Sequence, residues 1–384
     1  MALAIWLQRW QKFALVFGSA YFGLVVLLCF PFFQRHMLYL NAVKLPLFAD
    51  FNSPESYGLS PNKTLNLYIQ TPDNHSIGAW FVLPDAYYQS LPTIPQDVSE
   101  HITPSLTTRP TILFLHGNAA TRAFHVRVSI YKALTSRLNA NLLAIDYRGF
   151  GDSSGIPSED GVVKDARAAF DWLVDHGAKS ADILVMGHSL GTGVGGQLAG
   201  QLGNEGINLR GLVLMSPFSS IKELLANYQM FGLIPLMKPL DMIPKAAGLI
   251  KMALIHHFDT LSAVPKISTN VLIAHAENDY DIPASHSDVL FDAFMAPHVP
   301  DYTAPELGKI PSVDEWQQFM DAVHMRGKAR DDLVKSTLVP RFGRVDEFTQ
   351  DDRTVTLVKT LQGSHDYLPL QDGLQDEIRR RFGF

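Results

Sequence analysis

Cysteine is nearly absent: the 384 residues hold a single one, Cys29. One thiol excludes a disulfide framework and a cysteine-based zinc site. Charge is also sparse, at 18% of residues, and the formal net charge is −6 with no basic block. That balance argues against a nucleic-acid partner. Internal repeats and low-complexity tracts are missing, and nothing in the pattern calls for a metal or a cofactor. Long apolar runs are missing too, with one exception near the N-terminus. The remainder is an ordinary globular mix, 47% apolar, long enough for one large α/β domain with insertions.

The exception is "FALVFGSAYFGLVVLLCFPFF", the 21 uncharged residues from Phe13 to Phe33. As a helix this run spans roughly 30 Å, the thickness of a bilayer core. A cleaved signal peptide would have a shorter apolar region and a small-residue cleavage site, whereas bulky "QRHMLYL" follows Phe33. Residues 1–35 are therefore expected to be a short cytosolic tail and an uncleaved membrane anchor.

Residues 36–109 read as a proline-punctuated N-terminal segment. Within it "TLNLYIQT" and "SIGAWFVLP" flank the turn-forming "PDNH", which predicts an antiparallel hairpin, and a loop is expected from there to Arg109. From 110 to 384 strands and helices alternate, the pattern of a mostly parallel sheet covered on both faces. Strands are expected at Thr111–Gly117, Asn141–Gly149, Asp182–Gly187, Gly211–Pro217, Asn270–Ala276 and Thr354–Thr360. Helices are expected at Ala119–Leu138, Glu159–Asp175, Leu190–Leu202 and near Asp372–Arg381. Two insertions break the rhythm. Residues 219–262 are apolar and read as a cap; residues 296–352 are more polar, with one helix around Val313–Met325.

Within "ILVMGHSLGTGVGGQ" a strand turns into a helix through Gly187-His188-Ser189-Leu190-Gly191. A G-x-S-x-G at such a joint lifts its serine onto a sharp, strained turn, and the flanking glycines let strand and helix approach. Ser189 would then stand at the carboxyl edge of the sheet, the usual place for a site in open α/β folds. A serine hydroxyl becomes a nucleophile when a histidine takes its proton and an acid orients that histidine. The chain order serine, acid, histidine points to the loops after the last two strands. "HAENDYDIP" offers Glu277, Asp279 and Asp281; Asp279 fits a D-x-x-I-P turn, with Asp281 the alternative. "GSHDYLP" offers His365, and His324 in the polar insertion is the reserve candidate. The backbone N–H groups of Leu190 and Asn118 are the candidate oxyanion donors. His116, His188 and His275 are expected to be structural, as is an Arg–Asp pairing in the loop that carries Tyr147, Arg148 and Asp152.

These motifs carry a resemblance. "LHGNAATRAFHVRVSIYKAL", "IDYRGFGDSSGIPSEDGVVKDARAAFDWL", "GHSLGTG" and "HAENDYDIP" resemble the abhydrolase-domain-containing serine hydrolases of the endoplasmic reticulum. The similarity runs from about Thr111 to Pro283 and resumes at His365, with a longer gap between acid and histidine than the family usually has. It implies an α/β-hydrolase fold and lipase activity on monoacylglycerols or lysophosphatidylserine. It also implies Ser189 as nucleophile, Asp279 as acid, His365 as base, and Phe13–Phe33 as the anchor.

The functional expectation is thus a membrane-anchored serine hydrolase of single-chain lipid acyl esters. Alternatives are a protein-palmitoyl thioesterase using the same triad and a non-catalytic scaffold. Arg9 and Lys12 before the anchor predict a cytosolic N-terminus. Asn62-Lys63-Thr64 and Asn74-His75-Ser76 are glycosylation acceptors if the hydrolase domain is lumenal, which the resemblance to enzymes of the endoplasmic reticulum membrane also implies.

Overall fold

A computed structural model of the chain describes residues 2–227, 229–230, 234–235, 248, 252–301 and 312–384. Its centre is a ten-stranded sheet in the order β1-β2-β4-β3-β5-β6-β7-β10-β9-β8. The strands are β1 (Thr64–Gln70), β2 (Ser76–Val82), β3 (Thr111–Leu115), β4 (Asn141–Ile145), β5 (Ile183–His188), β6 (Gly211–Met215), β7 (Val271–Ala276), β8 (Lys335–Val339), β9 (Gly343–Gln350) and β10 (Arg353–Thr360). The six central strands from β4 to β10 run parallel, and each edge is finished by antiparallel pairs.

β3 to β7 are buried at every position, which explains their unbroken apolar runs: both faces are covered, so no alternation is needed. The covering helices are α3 (His125–Arg137), α4 (Glu159–Asp175), α5 (Leu190–Asn204), α6 (Ser285–Met295) and α8 (Asp372–Phe382). They divide the core into two apolar clusters. One holds Leu113, Val185 and Leu214; the other holds Phe114, Met186 and Val213. Neighbours along a strand point to opposite faces, so alternate residues feed opposite layers.

Four expectations need correction. The apolar N-terminal helix α1 is Ala2–Leu28, and its stretch long and apolar enough to cross a membrane is Gln8–Leu28, not Phe13–Phe33. Pro31 explains the shift: Phe30 before it is extended, and Pro31 opens a separate helix, α2 (Pro31–Tyr39). The helix expected from Ala119 starts at His125 instead. Ala119 and Ala120 sit at left-handed φ values of 55° and 52°, and their N–H groups donate to the carbonyls of Tyr39 and Val43. The stretch before Arg109 is not all loop, since Asp85–Ser90 and Ile102–Thr108 are short helices.

Finally, the polar stretch 296–352 contributes to the main sheet. Its helix α7 runs on to Leu333, begun by a Ser312–Glu315 capping box, and β8 and β9 then extend the sheet. β8 is exposed at all five positions. With no buried face it has no alternation to read. Of the expected cap, residues 228, 231–233, 236–247 and 249–251 lie outside the described residues.

Candidate active site

Four loops at the carboxyl ends of parallel strands meet above the sheet. They follow β3, β5, β7 and β10, and carry Asn118, Ser189, Asp279 and His365 respectively. Ser189 occupies the bend between β5 and α5 at φ 53°, ψ −120°. A non-glycine residue held there is strained. The glycines on either side have no alternative: a Cβ on Gly187 would lie 2.3 Å from the Gly191 carbonyl oxygen, and one on Gly191 would lie 2.0 Å from that of Leu115. The Ser189 N–H donates to the Met215 carbonyl at 3.0 Å, which secures the bend against β6.

The Ser189 hydroxyl donates to His365 Nε2 at 2.8 Å, and His365 Nδ1–H donates to Asp279 Oδ2 at 2.8 Å. The ionised carboxylate only accepts, so it fixes the proton on Nδ1 and leaves the Nε2 lone pair for the serine. Asp279 is itself held: its Oδ1 accepts from the N–H groups of Asp281 and Ile282, each at 3.0 Å. The two loops are tied together by the Ser364 N–H, which donates to Asn278 Oδ1 at 2.9 Å.

Burial opposes charge on both partners, yet the pair prevails. For Asp279, burial raises the pKa, but the neighbouring His275, the bond from His365 and the Ile282 N–H pull it well below the usual carboxylate range. For His365, burial lowers the pKa, but the bond and charge of Asp279, helped by Asp281 and Asp366, carry it above the ordinary histidine value. Such an arrangement can draw a proton from a serine hydroxyl and hold it as imidazolium.

The Asn118 and Leu190 N–H groups have no acceptor among the described residues. Leu190 opens α5, so its N–H also stands at the positive end of the helix dipole. Asn118 lines a cavity of about 210 Å³ together with Ser189, His365 and the apolar side chains of Leu45, Phe124, Val126 and Ile130.

Other histidines separate clearly. His116 Nδ1–H donates to the Gly117 carbonyl at 2.6 Å, and His275 Nε2–H donates to the Ile282 carbonyl at 2.9 Å. His324 is exposed on α7. His188, expected to be structural, also lines the cavity. Its Nε2–H donates to the His365 carbonyl at 2.8 Å; burial and then the neighbouring His365 push its pKa down to about 4. It is therefore a neutral brace beside the relay.

The Arg–Asp pairing exists, with crossed partners. Arg148 binds Asp165 and Asp73, while Asp152 binds Arg122. Tyr147 donates its hydroxyl to the His116 carbonyl at 2.9 Å. Sequence reasoning missed Arg127. From α3 its Nη2 donates to the carbonyls of Gly117, Asn118 and Ala119 at 3.3, 3.1 and 2.7 Å. Three carbonyls turned toward one guanidinium leave the loop's N–H groups facing elsewhere. An arginine eight to ten residues downstream on a helix has no sequence signal for that role. One oxygen or nitrogen each from Asp279, Asp281 and His365 lies within 4.8 Å of the others, but the Asp279 and His365 atoms are already bonded to one another.

Residues 112–377 match the model of the alpha/beta hydrolase family. The chain belongs to that family. This hydrolase is 36% identical over 258 residues to the lysophosphatidylserine lipase ABHD12 of Xenopus tropicalis, covering 66% of this chain and 63% of the relative. It is 29% identical over 259 residues to Protein ABHD12B of Homo sapiens, covering 67% and 68% of the two chains. The matched part thus spans less than two thirds of the length of the first of these. An alpha-beta hydrolase from Vibrio vulnificus superposes with a TM-score of 0.55, covering 91% of this chain and 92% of that one at 16% identity, which speaks for the fold alone. The N-terminal apolar helix suggests a single-pass anchor.

Proposed function

We propose that this α/β hydrolase is a membrane-anchored serine esterase that cleaves the acyl ester of a single-chain lipid, a monoacylglycerol or a lysophospholipid such as lysophosphatidylserine. The observation that carries the reading is the Ser189–His365–Asp279 chain of two 2.8 Å hydrogen bonds on the wall of a cavity that Leu45, Phe124, Val126 and Ile130 make apolar. The head-group preference rests on the relatives' names.

In the reaction Ser189 Oγ attacks the acyl carbonyl carbon while His365 Nε2 takes its proton. The oxyanion accepts hydrogen bonds from the Asn118 and Leu190 N–H groups. The intermediate collapses, the ester C–O bond breaks, and His365 returns the proton to the departing glycerol oxygen. Water then attacks the acyl-enzyme with His365 again as base, releasing the fatty acid and restoring Ser189.

The catalytic domain is taken to face the lumen of the endoplasmic reticulum, with Arg9 and Lys12 holding the N-terminal tail in the cytosol. Asn74 suits glycosylation there, being exposed at the β1–β2 turn. Asn62 suits it less, since its amide nitrogen donates to the Pro95 carbonyl at 2.9 Å. The test of the reading is covalent labelling by a fluorophosphonate in microsomes. Wild type labels and hydrolyses long-chain lysophospholipid, and Ser189→Ala does neither while keeping its melting temperature. Labelling of Ser189→Ala at the wild-type level would overturn it.

A further inference from the structure

The stretch between α1 and the hairpin is unusually apolar for a surface. On α2, Phe33 and Met37 stand at i and i+4 on one side of the helix, and the exposed Leu40 follows as its left-handed C-cap. That side faces outward: Phe33 and Met37 are each 40% exposed. The opposite side is the one that is covered, through buried Tyr39 and partly buried Leu38. After α2 the chain turns through Leu47, 70% exposed, and Phe48, fully exposed. Phe48 is also held at a left-handed φ of 57°, which a bulky side chain disfavours and no internal burial compensates. The exposed Phe30 precedes α2. Several large apolar side chains left exposed in one short stretch point to an interaction site.

Its occupant is named by three features. The surface continues directly from α1, the one helix among the described residues long and apolar enough to cross a membrane. Between α1 and Asp50 there is no aspartate or glutamate, while Arg35 and Lys44 lie there, a balance that suits a bilayer surface. The same stretch is also clamped to the active-site loop. The N–H groups of Ala119, Ala120 and Thr121 donate to the carbonyls of Tyr39, Val43 and Leu45 at 2.8, 2.7 and 3.0 Å, and Leu45 itself lines the cavity.

We propose that residues 30–48 form an interfacial apron that dips Leu47, Phe48 and the outer face of α2 into the bilayer, seating the mouth of the Ser189 cavity against the lipid. The apron rests on the membrane-anchored lipid-hydrolase reading and adds a route to it. A single-chain lipid enters the cavity sideways from the leaflet, past Leu45, without its acyl chain crossing water. A transmembrane helix alone tethers the domain but leaves its orientation free; the apron fixes that orientation.

The experiment uses the full chain in vesicles of phosphatidylcholine and phosphatidylserine, in a Cys29→Ser background, with an environment-sensitive fluorophore attached at Phe48→Cys. Leu338→Cys, at an exposed position on the edge strand β8, is the control. A blue-shifted emission at 48, quenched by lipid carrying a nitroxide high on its acyl chain, is expected, with neither effect at 338. In the companion assay, Leu47→Asp/Phe48→Asp lowers hydrolysis of long-chain lysophospholipid in the vesicles about tenfold. Hydrolysis of a soluble short-chain ester and fluorophosphonate labelling stay at the wild-type level. If the protein floats with the vesicles but the label at 48 behaves like that at 338, the apron is wrong and the hydrolase reading stands. Failure to float would overturn the anchor and the apron together. Equal loss on both substrates would overturn the apron, because the change would then lie in the catalytic site itself.

Discussion

Asp146 and Asp279 are near copies of one electrostatic device put to different ends. Each follows a parallel strand at the carboxyl edge of the sheet, β4 for one and β7 for the other. Each side chain is wholly buried. One oxygen of each accepts backbone N–H groups: Arg122 donates to Asp146 at 2.8 Å, and Asp281 and Ile282 donate to Asp279. The other oxygen of each accepts from a cation-forming side chain, Arg122 Nη1 at 2.7 Å and His365 Nδ1 at 2.8 Å. Burial would raise both carboxyl groups, and both are nonetheless held below their ordinary range, Asp146 chiefly by His116 and Arg122.

What differs is the far side of the partner. Arg122 also gives its Nη groups to Asp152 and Asn66 and lies over the ring of Phe51 at 3.8 Å. Its charge is permanent, and both of its Nη groups are taken by fixed partners. His365 keeps one nitrogen turned to Ser189 and the cavity, and that nitrogen can change its protonation. The first pair fixes the loop after β4. The second can pass a proton. A buried carboxylate at a strand end is thus not by itself a sign of chemistry; the open, titratable end of its partner is.

The sharpest way to break the comparison is to remove each charge in turn. Asp279→Asn keeps the shape but reverses the hydrogen-bond preference at His365, favouring the wrong tautomer. We expect kcat to fall about 10⁴-fold with the fold intact. The pH profile should move as well. In wild type the acid limb of kcat/KM should lie above the ordinary histidine pKa, because Asp279 outweighs burial at His365; in Asp279→Asn burial should win and shift the limb to lower pH. Linkage has the same sign. The raised His365 stabilises the fold below its unfolded pKa and loses that contribution as pH rises through its folded value. Arg122 makes no such change. Titration of kcat/KM and of unfolding midpoints in wild type, Asp279→Asn and Arg122→Ala checks this, and an unmoved acid limb in Asp279→Asn would sink the assignment of the acid.

At the structural pair the effect belongs to stability. Arg122→Ala leaves Asp146 buried, with His116 Nε2 at 3.3 Å as its nearest remaining side-chain partner. Removing one member of a buried pair costs about 3–5 kcal/mol, read as a lower urea midpoint at unchanged slope. If Arg122→Ala were instead as stable as wild type, the two aspartates would not share the device.

How much of this was legible in the sequence follows from the same physics. Ser189 was legible because the G-x-S-x-G pattern is local, although only Gly187 is forced by a neighbour in the chain, Gly191, while Gly191 is forced by Leu115 on β3. His365 and Asp279 were singled out through strand order, which fixes which loops meet, and the structure brings them together. The burial of β3 to β7 left a plain apolar signature. Arg127, by contrast, acts through carbonyl groups, and carbonyls carry no side-chain code. The late start of α3 depends on hydrogen bonds to Tyr39 and Val43, some eighty residues earlier, so local helix propensity pointed the wrong way. β8 has no buried face, and Arg148 pairs with Asp165 and Asp73 while Asp152, its neighbour in the loop, pairs with Arg122. Apart from the anchor's end, which Pro31 sets locally, these misses are tertiary.

The smallest expected effect sharpens the choice between neighbours. Asp281 competes with Asp279 in the sequence, two residues away in the same turn. In the structure it is exposed, its backbone N–H already serves Asp279 Oδ1, and it reaches His365 through charge alone. Asp281→Asn keeps that N–H and deletes only the charge. Exposed charge interactions are worth about 0–1 kcal/mol, and one pH unit corresponds to about 1.4 kcal/mol. The acid limb should therefore move down by roughly half a pH unit or less, and kcat on the plateau should stay within about twofold of wild type. Because the residual interaction crosses water, added salt should erase most of it, whereas salt leaves the Asp279→Asn defect in place. A loss in Asp281→Asn comparable to that in Asp279→Asn would transfer the acid's role to Asp281.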